Sequence, residues 1–399
     1  MLSGALKKKV LLVSDWAPPM LDGPSLILGN LLRELDPGKV ALFTRARATH
    51  TGVYFKKGNE LNIKRYCVYV PTPYSVTYSA FLRRVVRAAE VATIPYTTIK
   101  GLLAARKERP DDILATSDIP HGHFMIAAYL MARILRKRLF FYLFDPIEEF
   151  TTSRMYRALL GFFEPRMFAY ATEVITMNSF LGDYYEKKYG IKCKVLHHSV
   201  ESSGEALPAR RAGGKDKEVN IVFSGTISKY QLDALSNLRE AIDLMEGNIK
   251  LLIYTPTKES TVREYGFTGA KIQVEHVDHI TLKAELKNAD ILFLPLSFEN
   301  ADSIIVKAAF PSKTMDYMVA GRPTLVHAPG SCFIVEYARR CGFAEVVADN
   351  NVETLARATE RLLADKKRQR ELTKNARKTL LNHDPKVKCR ELIEIMGSK

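Results

Sequence analysis

The sequence predicts an α/β protein of two tandem Rossmann-like domains, each built on a doubly wound parallel sheet. A chain of 399 residues is too long for one ordinary core and suits two. The opening of such a domain, a strand, then a glycine loop, then a helix, is written twice. Lys9-Val10-Leu11-Leu12-Val13-Ser14 is a short apolar run after a basic cluster, followed by a Pro/Gly-rich loop and an apolar helical stretch near 25–35. Val219-Asn220-Ile221-Val222-Phe223-Ser224-Gly225 repeats that design about 210 residues on, with a helical stretch near 231–245.

Further apolar runs fill in each half, as strands buried between two helical layers should read. The first half offers Val40–Thr44, Tyr66–Val70, Asp112–Thr116, Leu139–Phe144, Glu173–Met177 and Lys194–His197. The second offers Lys250–Tyr254, Lys271–Glu275, Ile291–Leu296, Pro323–His327 and Ala344–Val347. Between the halves, residues 201–217 are small, polar and glycine-rich, which predicts a linker or exposed loop. Residues 352–379 read as charged amphipathic helices, and Asp384-Pro385 opens one last helix. The domains are therefore expected at 1–200 and 218–380, with residues 381–399 a terminal helix that packs back on the first domain.

Composition narrows the class. With 47% apolar and 26% charged residues the chain reads as globular, and it has no uncharged apolar stretch of transmembrane length. Its start lacks the basic, apolar, small order of a signal peptide, so the cytoplasm is the expected compartment. Five cysteines, odd in number and never in a Cys-x-x-Cys pair, argue against a disulfide framework or zinc site. The nine histidines supply no convincing metal-ligand set, and no metal is expected. A formal net charge of +15 favours polyanions: nucleic acid, acidic headgroups or phosphorylated substrates.

The most informative segment is Phe310-Pro311-Ser312-Lys313-Thr314-Met315-Asp316-Tyr317-Met318-Val319-Ala320-Gly321-Arg322-Pro323. Pro311 and Ser312 start helices, Gly321 stops them, and Pro323 prevents continuation. A helix that starts at the carboxyl edge of a parallel sheet offers free N–H groups and a partial positive charge to an anion. Lys313 adds a full charge in the first turn, where the helix dipole alone disfavours it. Asp316 lies one turn from Ser312 on the same face, placed to accept hydrogen bonds from vicinal hydroxyls. An ordinary capped helix with a surface Lys and Asp is the other reading of the same spacing.

That run resembles the donor-site signature of retaining GT-B glycosyltransferases, especially family 4 (glycosyl transferases group 1), written Pro-Ser/Thr-Lys-x-x-Glu-Tyr-x-x-x-Gly-x-Pro. The resemblance implies a GT-B fold with a cleft between its domains. It puts Ser312, Lys313 and Thr314 at the nucleotide diphosphate and Asp316, in place of the commoner Glu, at the ribose. The family's Glu-x-x-Gly-Phe/Leu-Gly loop is missing; Phe298–Ala309 stands there, and Glu299 is not carried over as the sugar ligand.

Other pieces extend the resemblance over nearly the whole chain. Asp22-Gly23 stands where the family has two glycines facing sugar and phosphate, and Gly23 keeps the second. Gly225, Thr226 and Lys229 match the donor-domain loop that usually carries an Arg and a Lys; Thr226 holds the Arg position, and Lys229 is the candidate replacement. Asp145 matches an Asp that ends an acceptor-domain strand, as an acceptor contact or proton acceptor, or else as a loop cap before Pro146. His121 and His123 are further catalytic candidates, or structural histidines. Val195–Glu201 resembles the segment that ends the first domain.

The expected activity is transfer of a sugar from a UDP- or GDP-sugar to a hydroxyl of a glycan or lipid-linked glycan, retention being implied by the resemblance alone. The nucleotide diphosphosugar is a co-substrate, and no other cofactor is required. Residues 81–109 interleave seven Lys/Arg with apolar and aromatic residues, so an anionic membrane surface is a possible partner and a solvated helix face the alternative. Nucleic acid is not expected, because no recognised module for it is visible. A nucleotide-sugar epimerase and a catalytically weak scaffold on the same fold are the rival readings.

Overall fold

A computed structural model describes residues 6–20, 22–46, 61–71, 80–117, 122–151, 153–201 and 218–397. Two expectations fall outside these residues: His121 and most of the 201–217 linker. The chain divides into two compact units, Met1–Ser199 with Pro385–Lys399, and Val200–Asp384.

The first unit runs β1 (Val10–Ser14), α1 (Gly23–Arg33), β2 (Val40–Arg45), β3 (Lys64–Val68), α2 (Ala80–Ala92), α3 (Ile94–Glu108), β4 (Asp112–Thr116), α4 (His123–Leu135), β5 (Arg138–Leu143), α5 (Ile147–Phe150), α6 (Arg154–Tyr170), β6 (Glu173–Thr176), α7 (Ser179–Tyr189) and β7 (Cys193–Val195). Its seven strands form one parallel sheet in the order β3-β2-β1-β4-β5-β6-β7. Val10 pairs with Val40 on one side and Asp112 on the other, so strand order reverses at β1 and β4. Loops gather at that reversal on the carboxyl edge, the place where open α/β sheets take ligands.

The second unit runs β8 (Val219–Ser224), α8 (Leu232–Leu244), β9 (Ile249–Tyr254), α9 (Glu259–Glu264), β10 (Ile272–Glu275), α10 (His279–Asn288), β11 (Ile291–Pro295), α11 (Ile304–Lys307), α12 (Lys313–Ala320), β12 (Thr324–His327), α13 (Phe333–Cys341), β13 (Ala344–Val347), α14 (Val352–Ala364) and α15 (Lys366–Leu380). Six parallel strands lie in the order β10-β9-β8-β11-β12-β13, with the reversal at β8 and β11. The last helix, α16 (Pro385–Gly397), returns to the first unit, where Leu392 and Met396 are buried and help line a small apolar cavity with Leu28 and Leu31 of α1.

The continuous apolar runs became the central strands: β1, β2, β4, β6, β11 and β12 are buried at every residue. β3 differs, lying at Lys64–Val68 where the apolar pattern puts Tyr66–Val70. It is an edge strand with three exposed residues, so its pairing with β2 rather than its own apolar content fixes its position.

Two features tie helices to the first sheet. Gly101 lets α3 approach α4, since a Cβ there would collide with Met131 Sδ. Arg45, buried at the end of β2, donates to Asp15 Oδ1 at 2.6 Å and to Glu90 Oε1 of α2 at 2.8 Å, while Tyr156 of α6 donates to the other Glu90 oxygen. Removing one partner of a buried pair leaves a charge with no counterpart. Glu90→Ala is therefore expected to destabilise the first unit by about 3–5 kcal/mol in urea unfolding; a loss below about 1 kcal/mol would show that the network does not support this unit.

Candidate functional site

The carboxyl edge of the second sheet carries the donor-site candidates, and the fold brings two separate sequence motifs together there. β8 ends at Ser224, and Gly225 follows with φ +114, a conformation that favours glycine. Its N–H is held by Tyr254 O of β9 at 2.8 Å. From the far side, Tyr317 of α12 reaches across buried, and its hydroxyl accepts the Ser224 N–H at 2.9 Å. The start of α12 is thereby fixed against the Gly225 turn, 93 residues away in sequence.

Lys313 uses that contact. Its Nζ lies 4.1 Å from the centre of the Phe223 ring and 3.0 Å from where a Cβ on Gly225 would be. The ammonium is buried and has no hydrogen-bond partner among the described residues. Burial pulls its pKa down from 10.5 to about 7. The N–H groups of Ser312 and Lys313 are likewise unpartnered among the described residues, whereas Thr314 and Met315 bond back to Pro311 O and Ser312 O. Ser312 is exposed; Thr314 is fully buried, with its Oγ1 unpartnered. The sequence-marked stop is present as well: Gly321 closes α12 at φ +63.

Asp316, one turn on, is half-buried and makes no hydrogen bond to a described residue. Desolvation raises its carboxyl pKa to about 6, with Lys283 of α10 pulling the other way. An acceptor left open beside a helix start suits a diol.

Around this core the loop 225–231 is braced. Ile227 N–H donates to Thr257 Oγ1 at 3.0 Å, while Thr226 and Lys229 are exposed, Lys229 lying over the Tyr230 ring. The segment that stands in for the family's acidic loop is held from α8. Asp233 Oδ2 accepts the N–H groups of Phe298 and Glu299 at 2.7 and 3.0 Å, and Asn300 donates to Lys229 O at 3.1 Å. The two loops are thus one bonded assembly. Sequence reading missed this latch, the Tyr317–Ser224 bond and the Phe223 seat. An Asp in the first turn of α8 was a local signal for the first; the other two join distant segments and leave none.

In the first unit, Gly23, His123 and Asp145 follow β1, β4 and β5, three adjacent parallel strands, and so share one sheet edge. Gly23 is the first residue of α1, and Asp22 before it caps that helix by accepting Ser25 N–H at 2.9 Å. The Ser three residues after Asp22 was the readable sign of the cap. His123 is buried with Nε2 2.8 Å from Thr97 Oγ1. Asp145 is half-buried, and desolvation raises its carboxyl pKa to about 6. Among the described residues no group of three or more His, Cys, Asp or Glu could hold a metal, and no helix is long and apolar enough to cross a membrane.

The Lys313 seat has a cost that can be read. The unfolded chain keeps this lysine charged up to about pH 10.5, the folded unit only to about 7, so its penalty is full below pH 7 and fades as pH rises through that window. Lys313→Met is expected to stabilise the protein by on the order of 2 kcal/mol at pH 7 and to flatten the rise in stability between pH 7 and 10. Urea midpoints across that range check it; a destabilised variant would mean the ammonium is paired.

Residues 209–379 match the family described as Glycosyl transferases group 1. No curated protein matches the sequence. Among solved structures, HepE of Anabaena, determined in complex with UDP, superposes with a TM-score of 0.70 at 12% identity over 98% of this chain and 100% of that one. Sucrose-phosphate synthase of Thermosynechococcus elongatus gives 0.67 at 13% identity, covering 98% of each chain. The α,α-trehalose-phosphate synthase (UDP-forming) of Burkholderia vietnamiensis gives 0.65 at 13% identity, over 98% of this chain and 99% of that one. The whole chain therefore has the GT-B fold, with two Rossmann-like domains, and the match to the glycosyl transferases group 1 family falls on residues 209–379.

Proposed function

We propose that the protein transfers a sugar from a nucleotide diphosphosugar to a hydroxyl of a glycan or lipid-linked glycan, with retention at the anomeric carbon. The observation that carries this reading is the unpartnered Lys313 ammonium, buried beside the open N–H groups of Ser312 and Lys313. A cation kept without a counter-charge at a helix start is a seat awaiting an anion. Uridine is favoured as the base because HepE was solved with UDP and the trehalose-phosphate synthase is described as UDP-forming. Retention rests on the resemblance of the 311–323 motif to retaining enzymes.

In this reading the bond between the anomeric carbon and the diphosphate oxygen breaks as the acceptor oxygen bonds to the same carbon. The charge left on the diphosphate is met by the Ser312 and Lys313 amides, with Thr314 closing the turn beside them, and by Lys313, which leaves its seat over Phe223 as the anion arrives. Lys229, exposed on the braced loop, supplies a second cation, and Gly225 and Thr226 line the approach. Asp316 accepts the ribose hydroxyls. Asp145 takes the proton released by the acceptor hydroxyl, its raised pKa suiting that task. Gly23 lets backbone approach sugar and phosphate, and His123, held by Thr97, orients the start of α4. His121 remains a candidate acceptor contact. No metal is invoked, since cations can neutralise the diphosphate. A lipid-linked acceptor would place the work at an anionic membrane surface.

Calorimetry with UDP and GDP is the primary test: binding of neither nucleotide would sink the transferase reading and favour a scaffold. Lys313→Ala should weaken UDP binding about 10–100-fold, as loss of a charge-assisted contact does; Asp316→Asn should weaken UDP without affecting pyrophosphate.

The pH dependence has a definite sign. UDP-glucose carries no group titrating between pH 5 and about 9, so its affinity reports the protein. Affinity should be level between pH 6 and 7. It should fall about tenfold per unit above about 7, where free Lys313 loses its proton, and fall again below about 6 as Asp316 gains one. A wild-type profile flat from pH 7 to 9 would show that free Lys313 keeps its proton across that range.

A further inference from the structure

We infer that the outer face of α2 and α3 docks on the surface of an anionic lipid bilayer; the inference deepens the proposed lipid-linked acceptor and takes its purpose from that reading. These two helices form one helical run from residue 80 to 108, broken only at Thr93 ahead of Pro95.

α3 buries Ile94, Thr97, Thr98, Gly101, Ala104 and Glu108, a stripe at helical spacing that faces α4 and the sheet. Its opposite face carries Tyr96, Ile99 and Leu103, one turn apart and exposed. α2 goes further. Its only buried side chain among those described is Glu90, while Phe81, Leu82 and Val85 stand in solvent. These six apolar side chains are between 41% and 74% exposed, an apolar surface gathered on two consecutive helices.

Charge says what kind of partner. The stretch holds two acids, Glu90 and Glu108, and both are turned inward. Glu90 binds Arg45 and Tyr156; Glu108 binds Lys9 at 2.7 Å, Tyr66 and Lys64. Five cations point the other way: Arg84, Lys100, Arg106, Lys107 and Arg109 are all exposed, with Lys100 lying along the Tyr96 ring, while Arg87 is half-buried. The face shown to solvent is therefore apolar and cationic, with no exposed acid among its described residues. Phosphate groups of a nucleic acid would satisfy the cations and leave Val85, Ile99 and Leu103 in water. A bilayer takes both: aliphatic and aromatic side chains enter the headgroup–acyl boundary while the cations meet anionic headgroups.

The test is sedimentation of the full chain with vesicles of phosphatidylcholine, alone or with about one-third phosphatidylglycerol. Partition into the anionic vesicles should exceed that into neutral ones at least tenfold and fall with salt. Replacing Arg106 and Lys107 by Ser should weaken it about fivefold per charge removed. Ile99→Ser with Leu103→Ser should weaken it at least tenfold with every cation in place. Equal partition into both vesicles would overturn the proposal, as would apolar variants that bind like wild type. Binding to soluble heparin that the apolar substitutions leave unchanged, with no vesicle binding, would instead assign the face to a polyanion and overturn it too. Urea unfolding of the same preparations shows that the first unit of each variant is folded, and UDP binding is measured alongside. The latter separates the two proposals, since vesicle binding without UDP binding sinks the transferase reading and leaves docking standing.

Discussion

The second unit is organised around a cation that the fold leaves without a counter-charge. Lys313 sits over Phe223 and against Gly225 with its ammonium buried and unpartnered. Arg45, a buried cation of the first unit, shows what a structural solution looks like: two carboxylates and two backbone carbonyls surround it. Desolvating a charge costs several kcal/mol unless something compensates it inside. Arg45 is compensated by the protein itself. The compensation for Lys313 has to come from outside, and the geometry around it is built to keep the seat in place. Tyr317 holds α12 to the end of β8, and a glycine with no side chain at 225 makes room for the lysine tip.

The fold was legible because its signals are local. Buried parallel strands need continuous apolar runs, and Val10–Ser14, Asp112–Thr116 and Ile291–Pro295 supply them. Gly and Pro punctuated α12 within a residue or two of where it starts and stops. The strand that slipped, β3, is the one whose place is decided by its neighbour rather than by its own residues.

The site was legible only in part, for the same physical reason. Lys313 and Asp316 share a helix turn, so their spacing showed them as a pair. That Phe223 lies under Lys313 and that Tyr317 bonds Ser224 are long-range facts with no trace in spacing, and the Asp in the first turn of α8 gave no sign that the Phe298–Glu299 backbone would be its partner. His123 is the reverse case: its neighbourhood in sequence gave no hint of Thr97, which engages it from the preceding helix. The direction in which Glu90 and Glu108 point, inward while their basic neighbours face out, likewise needed the folded chain.

The return of α16 to the first unit has a consequence for synthesis. The first unit contains Leu392 and Met396 in its buried interior, yet the chain reaches them only after Val200–Asp384 has been made. As the polypeptide emerges from its N-terminus, the sheet of β1 to β7 forms before its closing helix exists, and Leu28 and Leu31 wait uncovered. The second unit is contiguous and can complete its core first. Vectorial folding thus inverts the order of the sequence: the unit that begins the chain is the last to be sealed.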